Sequence, residues 1–332
     1  MPKAPESRKK MIWIGMACLL LLFFLITGVV IYGEISPIFH STVAVVEADE
    51  QDLAVLAVSS MQEKPQLSLL EEGTSVTTSQ TDFALQRSFH ADASSIPTAI
   101  YAREKIEEDV DNILLVLDGS FYLISDQPEK KQLVALEPTM LLPVQGYGWT
   151  TLAASYELGG LPCVINTINQ AFELDINQYV FMNSEAIWQV SDKMGGLTVV
   201  LTAAEASELN RLLGTAYTAG ETVMWTGGLQ AYTKLTVDGD AIAHWQAVCH
   251  AIMNKAKAEK QTKQLWKAAR SSLSANVSFF TLKAIGEELL QNPSLTQYNF
   301  PKTGAYKLLE GEMVLDMDLN AGRTELHALL YS

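Results

Sequence analysis

Side chains that could bind or transform a charged ligand cluster in one short stretch, from Lys234 to His244. Lys234 supplies a cation and is followed by the carboxylates of Asp238 and Asp240. We predict Lys234 as a catalytic residue, and the two aspartates with His244 as ligand-binding residues. Two alternatives stay open, because Lys234 either pairs with these carboxylates or meets a ligand. His244 is either a base or, as is more common, a half-exposed residue of a helix that starts near Asp240.

A second catalytic candidate, Asp118, follows a continuous apolar run. Residues 113–117 read Ile-Leu-Leu-Val-Leu, the pattern of a central strand that is buried on both faces. Open α/β sheets place their ligands at the carboxyl ends of such strands, which makes Asp118 a candidate. The equally weighted alternative is a solvated aspartate that opens a turn with Gly119.

Alternating strand and helix patterns must position these side chains. The elements predicted after Asp118 are, in chain order, strands over 121–124 and 133–136 joined as a hairpin, a helix with Pro162 in its first turn after Gly159-Gly160, a strand over 179–182, a helix from an N-cap at Ser184 to Gly195, a strand over 197–201, and a helix from Thr202 to Gly214. Thr202 and Glu205 have the spacing of a capping box.

The helix that starts near Asp240 has one core-facing stripe, formed by Ile242, Trp245, Val248, Cys249, Ile252 and Met253. Alternation of strands with helices along the chain favours a three-layer α/β/α fold around a central mixed sheet. We therefore predict an α/β protein of this architecture, preceded by one transmembrane helix.

The amino terminus carries the signal for that transmembrane helix. A basic head, residues 1–10, precedes the uncharged run 11–33, and about 20 apolar residues suffice to cross a bilayer as a helix. A secretory signal peptide is the alternative, but its apolar region is usually about 7–15 residues long. The positive head predicts a cytoplasmic amino terminus, and hence a single-pass protein of the cell membrane. We expect an extracytoplasmic spacer over 34–111 and a globular domain over 112–332.

Composition limits the partners and the redox chemistry. The net charge of −15 argues against nucleic acid, because a binder of the phosphate backbone needs a basic face. Of the three cysteines, Cys18 lies in the apolar run, and Cys163 with Cys249 either form a disulfide or, the interpretation we favour, stay free. The sequon at Asn276 is more typical of a helix-capping turn than of a glycan site.

The order of the motifs resembles the LytR-CpsA-Psr family of bacterial envelope proteins. The segments that carry the resemblance are NILLVLD (112–118), TLAASYELGG (151–160), DKMGGLTVVLTAAEASELN (192–210), TGGLQAYTKLTVDGD (226–240), ANVSFFTLKAIGEELL (275–290) and LHALLY (326–331). The resemblance implies transfer of a glycopolymer from a polyprenyl-pyrophosphate carrier to peptidoglycan. It further implies arginines that hold the pyrophosphate and, usually, Mg²⁺ on carboxylates.

The charged positions of the family motifs differ in this chain. The replacements are Pro138-Thr139-Met140 for Pro-Arg-Asp, Gly119-Ser120 for a longer loop with Ser-Asp-Thr, Thr151 and Ala153 for Lys and Asn, Lys234 and Thr236 for Arg-x-Arg, and Ala243 with His244-Trp245-Gln246 for the helix arginines. The arginines after the basic head are Arg87, Arg103, Arg211, Arg270 and Arg323, none of them at a motif position.

These replacements indicate a divergent member that has lost the pyrophosphate clamp. A single lysine does not replace several planar guanidinium groups that each donate two hydrogen bonds. The favoured expectation is a membrane-anchored, catalytically degenerate protein that binds a polyprenyl lipid, a cell-wall glycan or a partner enzyme. The alternative is an active phosphotransferase with a rearranged site built from Asp118, Lys234, Asp238 and Asp240, for which Mg²⁺ would be the cofactor. A structural envelope protein without related activity is a third possibility.

No other pattern in the sequence predicts a catalytic or metal site. A Gly-x-Ser-x-Gly elbow, a glycine-rich phosphate loop with lysine, and His/Cys spacing typical of a metal site are all missing from it. We therefore predict no metal ligands.

Overall fold

The computed structural model of the chain describes residues 43–47, 64–69, 96–127, 131–235, 241–291 and 297–331. The chain divides into two compact units, which are taken separately below. The first comprises residues 180–295, and the second comprises 41–179 with 296–332. The predicted head, 1–10, and anchor, 11–33, lie outside the described residues. Within the described ranges, no helix is long and apolar enough to cross a membrane.

Both units contain helices and strands. The strands are β1 Ala44–Glu47, β2 Ser68–Leu69, β3 Ala99–Ala102, β4 Asp111–Leu117, β5 Ser120–Asp126, β6 Lys131–Leu136, β7 Leu141–Val144, β8 Gly148–Thr151, β9 Gln178–Met182, β10 Leu197–Leu201, β11 Gly220–Met224, β12 Leu273–Ala275, β13 Gln297–Phe300, β14 Ala305–Leu309 and β15 Glu312–Asp316. The helices are α1 Leu152–Phe172, α2 Glu185–Lys193, α3 Ala203–Leu213, α4 Thr226–Tyr232, α5 Ala241–Ala258, α6 Thr262–Ser272, α7 Phe279–Gln291 and α8 Leu319–Tyr331.

The second unit is built on a mixed sheet. Strands β4, β5 and β6 pair antiparallel in sequence order, and β13 adds to β6 in parallel. Residues 113–117 of β4 are buried throughout, so the predicted central strand and its hairpin partners are confirmed. The mixed sheet of the predicted fold class is therefore present, whereas the three-layer arrangement of the whole chain stays a prediction.

Helix α1 covers this unit and bends at a diglycine. Gly159 and Gly160 have non-helical dihedral angles, and Pro162 follows in the first turn of the second helical segment, as predicted. A Cβ on Gly159 would lie 2.6 Å from Cγ2 of Ile96, which is closer than side chains approach. The same Cβ would lie 2.7 Å from Cβ of Cys163, and Gly160 has a φ of +63°, so the bend needs both glycines.

Three short strands fall within the range predicted as a spacer, 34–111. Strand β1 pairs in parallel with β3, and β2 pairs antiparallel with β14, which also pairs with β15. Lys64, just before β2, forms an ion pair with Asp316 at the end of β15. The spacer range thus contributes strands to the fold, which the aperiodic sequence there did not predict.

The first unit contains the hairpin of β10 and β11. Strand β10 and the capping box at the start of α3 are confirmed, since Glu205 N donates to Thr202 Oγ1 at 3.1 Å and Thr202 N donates to Glu205 Oε2 at 2.7 Å. Gly195 and Gly214 both have positive φ at helix ends, again as predicted. Strand β11, by contrast, was not predicted.

Helix α2 begins at the predicted residue, but the cap differs. Ser184 is the N-cap by position, yet its side chain makes no capping hydrogen bond. The side-chain oxygen of Asn183 instead accepts from Glu185 N at 3.0 Å. The prediction of Ser184 as the N-cap is therefore confirmed by position, whereas the side-chain hydrogen bond to the first residue of the helix comes from the preceding asparagine.

Helix α5 presents its predicted apolar stripe to the interior of the first unit. Trp245, Val248, Ile252 and Met253 are buried, and Cys249 is partly buried. The Trp245 ring stacks on that of Trp188 from α2, with 5.5 Å between centroids. Cys163 and Cys249 are both free, as favoured from the sequence.

The predicted capping role of the Asn276 sequon is also confirmed. Ser278 Oγ accepts from Thr281 N at 3.1 Å, at the start of α7.

Candidate functional site

The candidate residues are distributed over both units. Lys234 is exposed, two residues after the end of α4 in the first unit. Asp118 belongs to the second unit. Asp238 and Asp240 lie outside the described residues, so their relation to Lys234 stays a prediction.

Asp118 lies in the tight turn between β4 and β5. Its φ is 47° and that of Gly119 is 79°, while Leu117 and Ser120 on either side are paired across the hairpin. Two consecutive residues with positive φ define the type I′ turn that suits the twist of a hairpin, and Asp-Gly is a preferred pair there. The turn alternative given for Asp118 is therefore confirmed. Its catalytic role stays a prediction.

His244 is buried, which corrects the expectation of a half-exposed side chain. Its relative exposure is 3%, because the residue lies four positions before Val248 and so on the inner side of α5. The ring Nδ1 lies 3.0 Å from the carbonyl oxygen of Leu235, and Nε2 lies 2.8 Å from Oε1 of Glu205. Both ring nitrogens are thus engaged by protein atoms.

Glu205 joins this histidine to the capping box. Its Oε2 accepts from Thr202 N, and its Oε1 contacts the His244 ring. The side chain is buried together with that of His244, so each satisfies the other's polar atoms. A residue that was predicted only to cap α3 therefore also binds α5.

Tyr232, the last residue of α4, also contacts His244. Its ring packs edge-on against the His244 ring, with centroids 4.6 Å apart. Burial raises the pKa of Tyr232 to about 12, and the charge of Glu205 acts in the same direction. The phenol therefore stays protonated at neutral pH. We call Glu205, Tyr232, Leu235 and His244 the His244 cluster.

The His244 cluster holds the turn that carries Lys234. Lys234 N donates to the carbonyl of Ala231 at 3.1 Å, and Leu235 N donates to that of Tyr232 at 3.2 Å. The Leu235 side chain is buried while Lys234 points into solvent. The described part of this turn thus presents the ammonium group of Lys234 at the surface, next to the buried His244 cluster.

Three arginines of the described ranges are engaged in local contacts. Arg211 pairs with Glu208 one turn earlier on α3, and Arg323 pairs with Glu173 at 2.7 Å. Arg103 donates to the carbonyl oxygen of Asn169 at 3.1 Å, and burial lowers its pKa. Each of these guanidinium groups has a structural partner close in its own unit.

Carboxylates for Mg²⁺ are expected only if the protein is an active transferase. Among the residues that the structure describes, no group of three or more His, Cys, Asp or Glu side chains is arranged to hold a metal ion. The aspartates that would supply the ligands, Asp238 and Asp240, lie outside that part of the chain. A magnesium site therefore stays an expectation tied to the transferase alternative.

Sequence reasoning missed Glu205 and Tyr232 as partners of His244. The contact between Glu205 and His244 spans 39 residues, and nothing local encodes it. A usable signal did exist for the burial of His244, since positions 244, 248, 252 and 256 follow a four-residue spacing. This spacing places His244 on the core-facing side of α5.

These elements define the class of protein: a mixed α/β fold whose sheet combines antiparallel and parallel strands. The profile of the LytR_cpsA_psr family matches residues 122–324, which is more than half of the chain. The chain belongs to this family, and the resemblance noted in its motifs is confirmed. No curated protein matches the chain in sequence.

Several solved structures are similar to the chain at low identity. Bacillus subtilis TagT is 15% identical, with 75% of this chain and 100% of that chain covered and a TM-score of 0.46. A second TagT structure, with bound octaprenyl pyrophosphate lipid, is 15% identical. The match covers 77% of this chain and 100% of that chain, with a TM-score of 0.46. The transcriptional regulator EF0465 from Enterococcus faecalis is 19% identical. The match covers 67% of this chain and 88% of that chain, with a TM-score of 0.46.

Proposed function

We propose that this chain is a membrane-anchored LytR_cpsA_psr protein of bacterial cell-envelope biogenesis that binds a polyprenyl-pyrophosphate lipid without transferring its cargo. Family membership supports the envelope setting. The ligand class is the one that the family resemblance implies, and it is also the class bound to TagT in one structure. A cell-wall glycan or a partner enzyme would be the occupant if the lipid does not bind.

The observation that supports the non-catalytic assignment is the local engagement of three arginines among the described residues. Holding a diphosphate in an oriented state takes several guanidinium groups, each with two parallel donors. Arg103, Arg211 and Arg323 are bound instead to Asn169, Glu208 and Glu173. Freeing any of them for a ligand would first break a contact within its own unit.

The burial of His244 also supports the non-catalytic assignment. A general base must reach the proton that it takes from the substrate. Both nitrogens of His244 already contact Leu235 and Glu205, and the ring is almost inaccessible to solvent. Lys234 remains as a cation that attracts a phosphate headgroup but does not fix its orientation.

Anchoring in the membrane is the part of the proposal that rests on sequence alone. The run 11–33 is uncharged and follows a basic head, which favours an extracytoplasmic location for the rest of the chain. Protease added to intact cells tests this orientation, and degradation of the domain is the expected result. Protection of the domain would contradict it.

Lipid binding is tested by titrating the full-length protein in detergent micelles with geranylgeranyl pyrophosphate. We expect saturable binding that weakens in Lys234→Ala. Lys267→Ala, which removes an exposed lysine of α6, is the matched control and should bind like the wild type. Equal binding by all three proteins would refute a role for Lys234, and an absence of saturable binding would refute the lipid as ligand.

A further inference from the structure

We infer that His244 is a positioning residue rather than the ligand-binding residue predicted from the sequence. Its ring bridges the capping box of α3 and the backbone carbonyl of Leu235, and so fixes the turn that presents Lys234. The ligand part of this inference rests on the proposed function. The bridge itself can be measured without a ligand.

The geometry of the bridge determines where the ring carries a proton. A carbonyl oxygen only accepts, so the 3.0 Å contact with Leu235 requires a proton on Nδ1. The 2.8 Å contact between Nε2 and Oε1 of Glu205 lies on the other side of the ring. The hydrogen bond to Leu235 therefore sets the tautomer with the proton on Nδ1.

The bond to Leu235 acts directly on the turn next to it. Leu235 is the residue after Lys234, and its own N–H closes the last turn of α4 onto Tyr232. The carbonyl oxygen of Leu235 therefore accepts a hydrogen bond from His244, while its N–H donates to the carbonyl oxygen of Tyr232. Without the ring bond, this end of α4 would keep only its backbone contacts, and Lys234 would be presented less uniformly.

The Glu205 side of the bridge sets the ring in place. Oε2 is fixed by Thr202 N, so Oε1 has a defined position from which to orient Nε2. A glutamine at 205 can reproduce both contacts, because its oxygen accepts from Thr202 and its amide donates to Nε2 of a ring protonated on Nδ1. A leucine can reproduce neither.

The tautomer is tested first, on the unaltered protein. The full-length chain is labelled with ¹⁵N-histidine, and the ring signals of His244 are assigned by their loss in His244→Gln. We expect Nδ1 to give the signal of a protonated nitrogen in the folded protein. An unprotonated Nδ1 would overturn the inference.

Two variants of His244 separate the halves of the bridge. The amide nitrogen of asparagine occupies the position of Nδ1, so His244→Asn keeps the donor to Leu235. The amide nitrogen of glutamine occupies the position of Nε2, so His244→Gln keeps only the contact with Glu205. We expect hydrogen exchange over residues 233–235 to be about tenfold faster in His244→Gln than in His244→Asn, the effect of one lost hydrogen bond. Equal exchange in the two variants would overturn the inference.

The Glu205 variants supply a rescue test. Glu205→Gln should keep the slow exchange of the wild type over residues 233–235, whereas Glu205→Leu should not. If residue 205 acted only by being buried, Glu205→Leu would keep the slower exchange, since leucine is more apolar than glutamine. Slow exchange in Glu205→Leu would therefore contradict the bridge.

Measuring ligand binding by the His244 variants distinguishes this inference from the proposed function. If geranylgeranyl pyrophosphate binds, His244→Asn should retain more affinity than His244→Gln. If the wild type does not bind it, the proposed function fails, and the exchange and tautomer measurements still decide whether His244 positions the turn.

Discussion

The guanidinium group of Arg211 forms a two-point ion pair with the carboxylate of Glu208, with Nε–Oε2 at 2.8 Å and the second contact at 2.6 Å. The pair lies on the solvent face of α3, three residues apart. Two of the five N–H donors of Arg211 are thus used by a carboxylate of its own helix.

Arg211→Ala is therefore expected to leave lipid binding unchanged. The pair is solvent-exposed, so its removal should also have little effect on thermal stability. Titration with geranylgeranyl pyrophosphate measures the first effect and a thermal melt the second. Weaker binding in Arg211→Ala, with an unchanged melt, would place this arginine in the ligand site and favour a transferase.

Gly196→Ala should destabilise the first unit strongly. Gly196 has a φ of +80°, and a Cβ there would lie 2.5 Å from the carbonyl oxygen of Met224 on β11. Strain of this kind costs about 1–3 kcal/mol, and the backbone contact adds to it. Chemical denaturation measures the loss in free energy of unfolding.

Gly227→Ala is the matched control for that change. Gly227 lies within α4 and has no positive φ, and a Cβ added there would meet nothing within 4 Å among the described residues. Alanine should stabilise this helix by about 0.5–1 kcal/mol. A loss of stability in Gly227→Ala as large as that in Gly196→Ala would contradict the steric argument.

The thiol of Cys163 should be unreactive in the folded protein. Burial raises its pKa from 9.0 to about 12. Alkylation at pH 9 should thus be slow until the protein is unfolded, as followed by mass spectrometry. Fast modification of the native protein at this site would show that the thiol is accessible.

The same shift predicts a pH dependence of stability. Because the folded pKa lies above the unfolded value, the contribution of Cys163 is complete below pH 9.0 and is lost as the pH rises towards about 12. Cys163→Ala should therefore lose less stability than the wild type between pH 8 and pH 10.5, by about 1–2 kcal/mol. Parallel curves for the two proteins would contradict the raised pKa.

Asp175→Ala should destabilise the second unit. The buried carboxylate accepts from Ile106 N at 2.9 Å and from Asn112 Nδ2 at 2.7 Å. Removing it deprives the buried Asn112 amide of this acceptor, at a cost of about 1–3 kcal/mol, whereas the N–H of the exposed residue Ile106 can bond to water instead. The free energy of unfolding provides the measurement.

Tyr331→Phe provides the comparison for this change. The Tyr331 hydroxyl accepts from Asn112 Nδ2 at 2.6 Å, and burial together with the charge of Asp175 raises its pKa. Since Asn112 keeps its bond to Asp175 in this variant, the loss should be smaller than in Asp175→Ala. A larger loss would show that the phenol, and not the carboxylate, organises this corner of the unit.

Local patterns predicted the elements that local physics determines. The β4–β5–β6 hairpins, the Thr202–Glu205 capping box and the glycine ends of α2 and α3 all depend on residues within a few positions of one another. In each case the same spacing that stabilises the element is visible in the sequence. Those parts of the fold could therefore be predicted from the sequence.

Long-range contacts account for what the sequence did not show. The pairing of β2 with β14 joins residues far apart in the chain, and the short β2 carries too little pattern to be recognised. The contact of Glu205 with His244 is of the same kind. The spacing along α5 indicates that His244 faces the core, but its contact with Glu205 depends on two helices meeting, which spacing alone does not specify.

The central claim is that the protein binds a polyprenyl-pyrophosphate lipid but does not turn it over. The most direct measurement incubates the full-length protein with a glycan-loaded polyprenyl pyrophosphate, Mg²⁺ and peptidoglycan, and follows release of the lipid phosphate with time. We predict binding with no release above the rate of a protein-free control. Steady release that is abolished by Lys234→Ala, and retained by Lys267→Ala, would contradict the account and establish an active phosphotransferase.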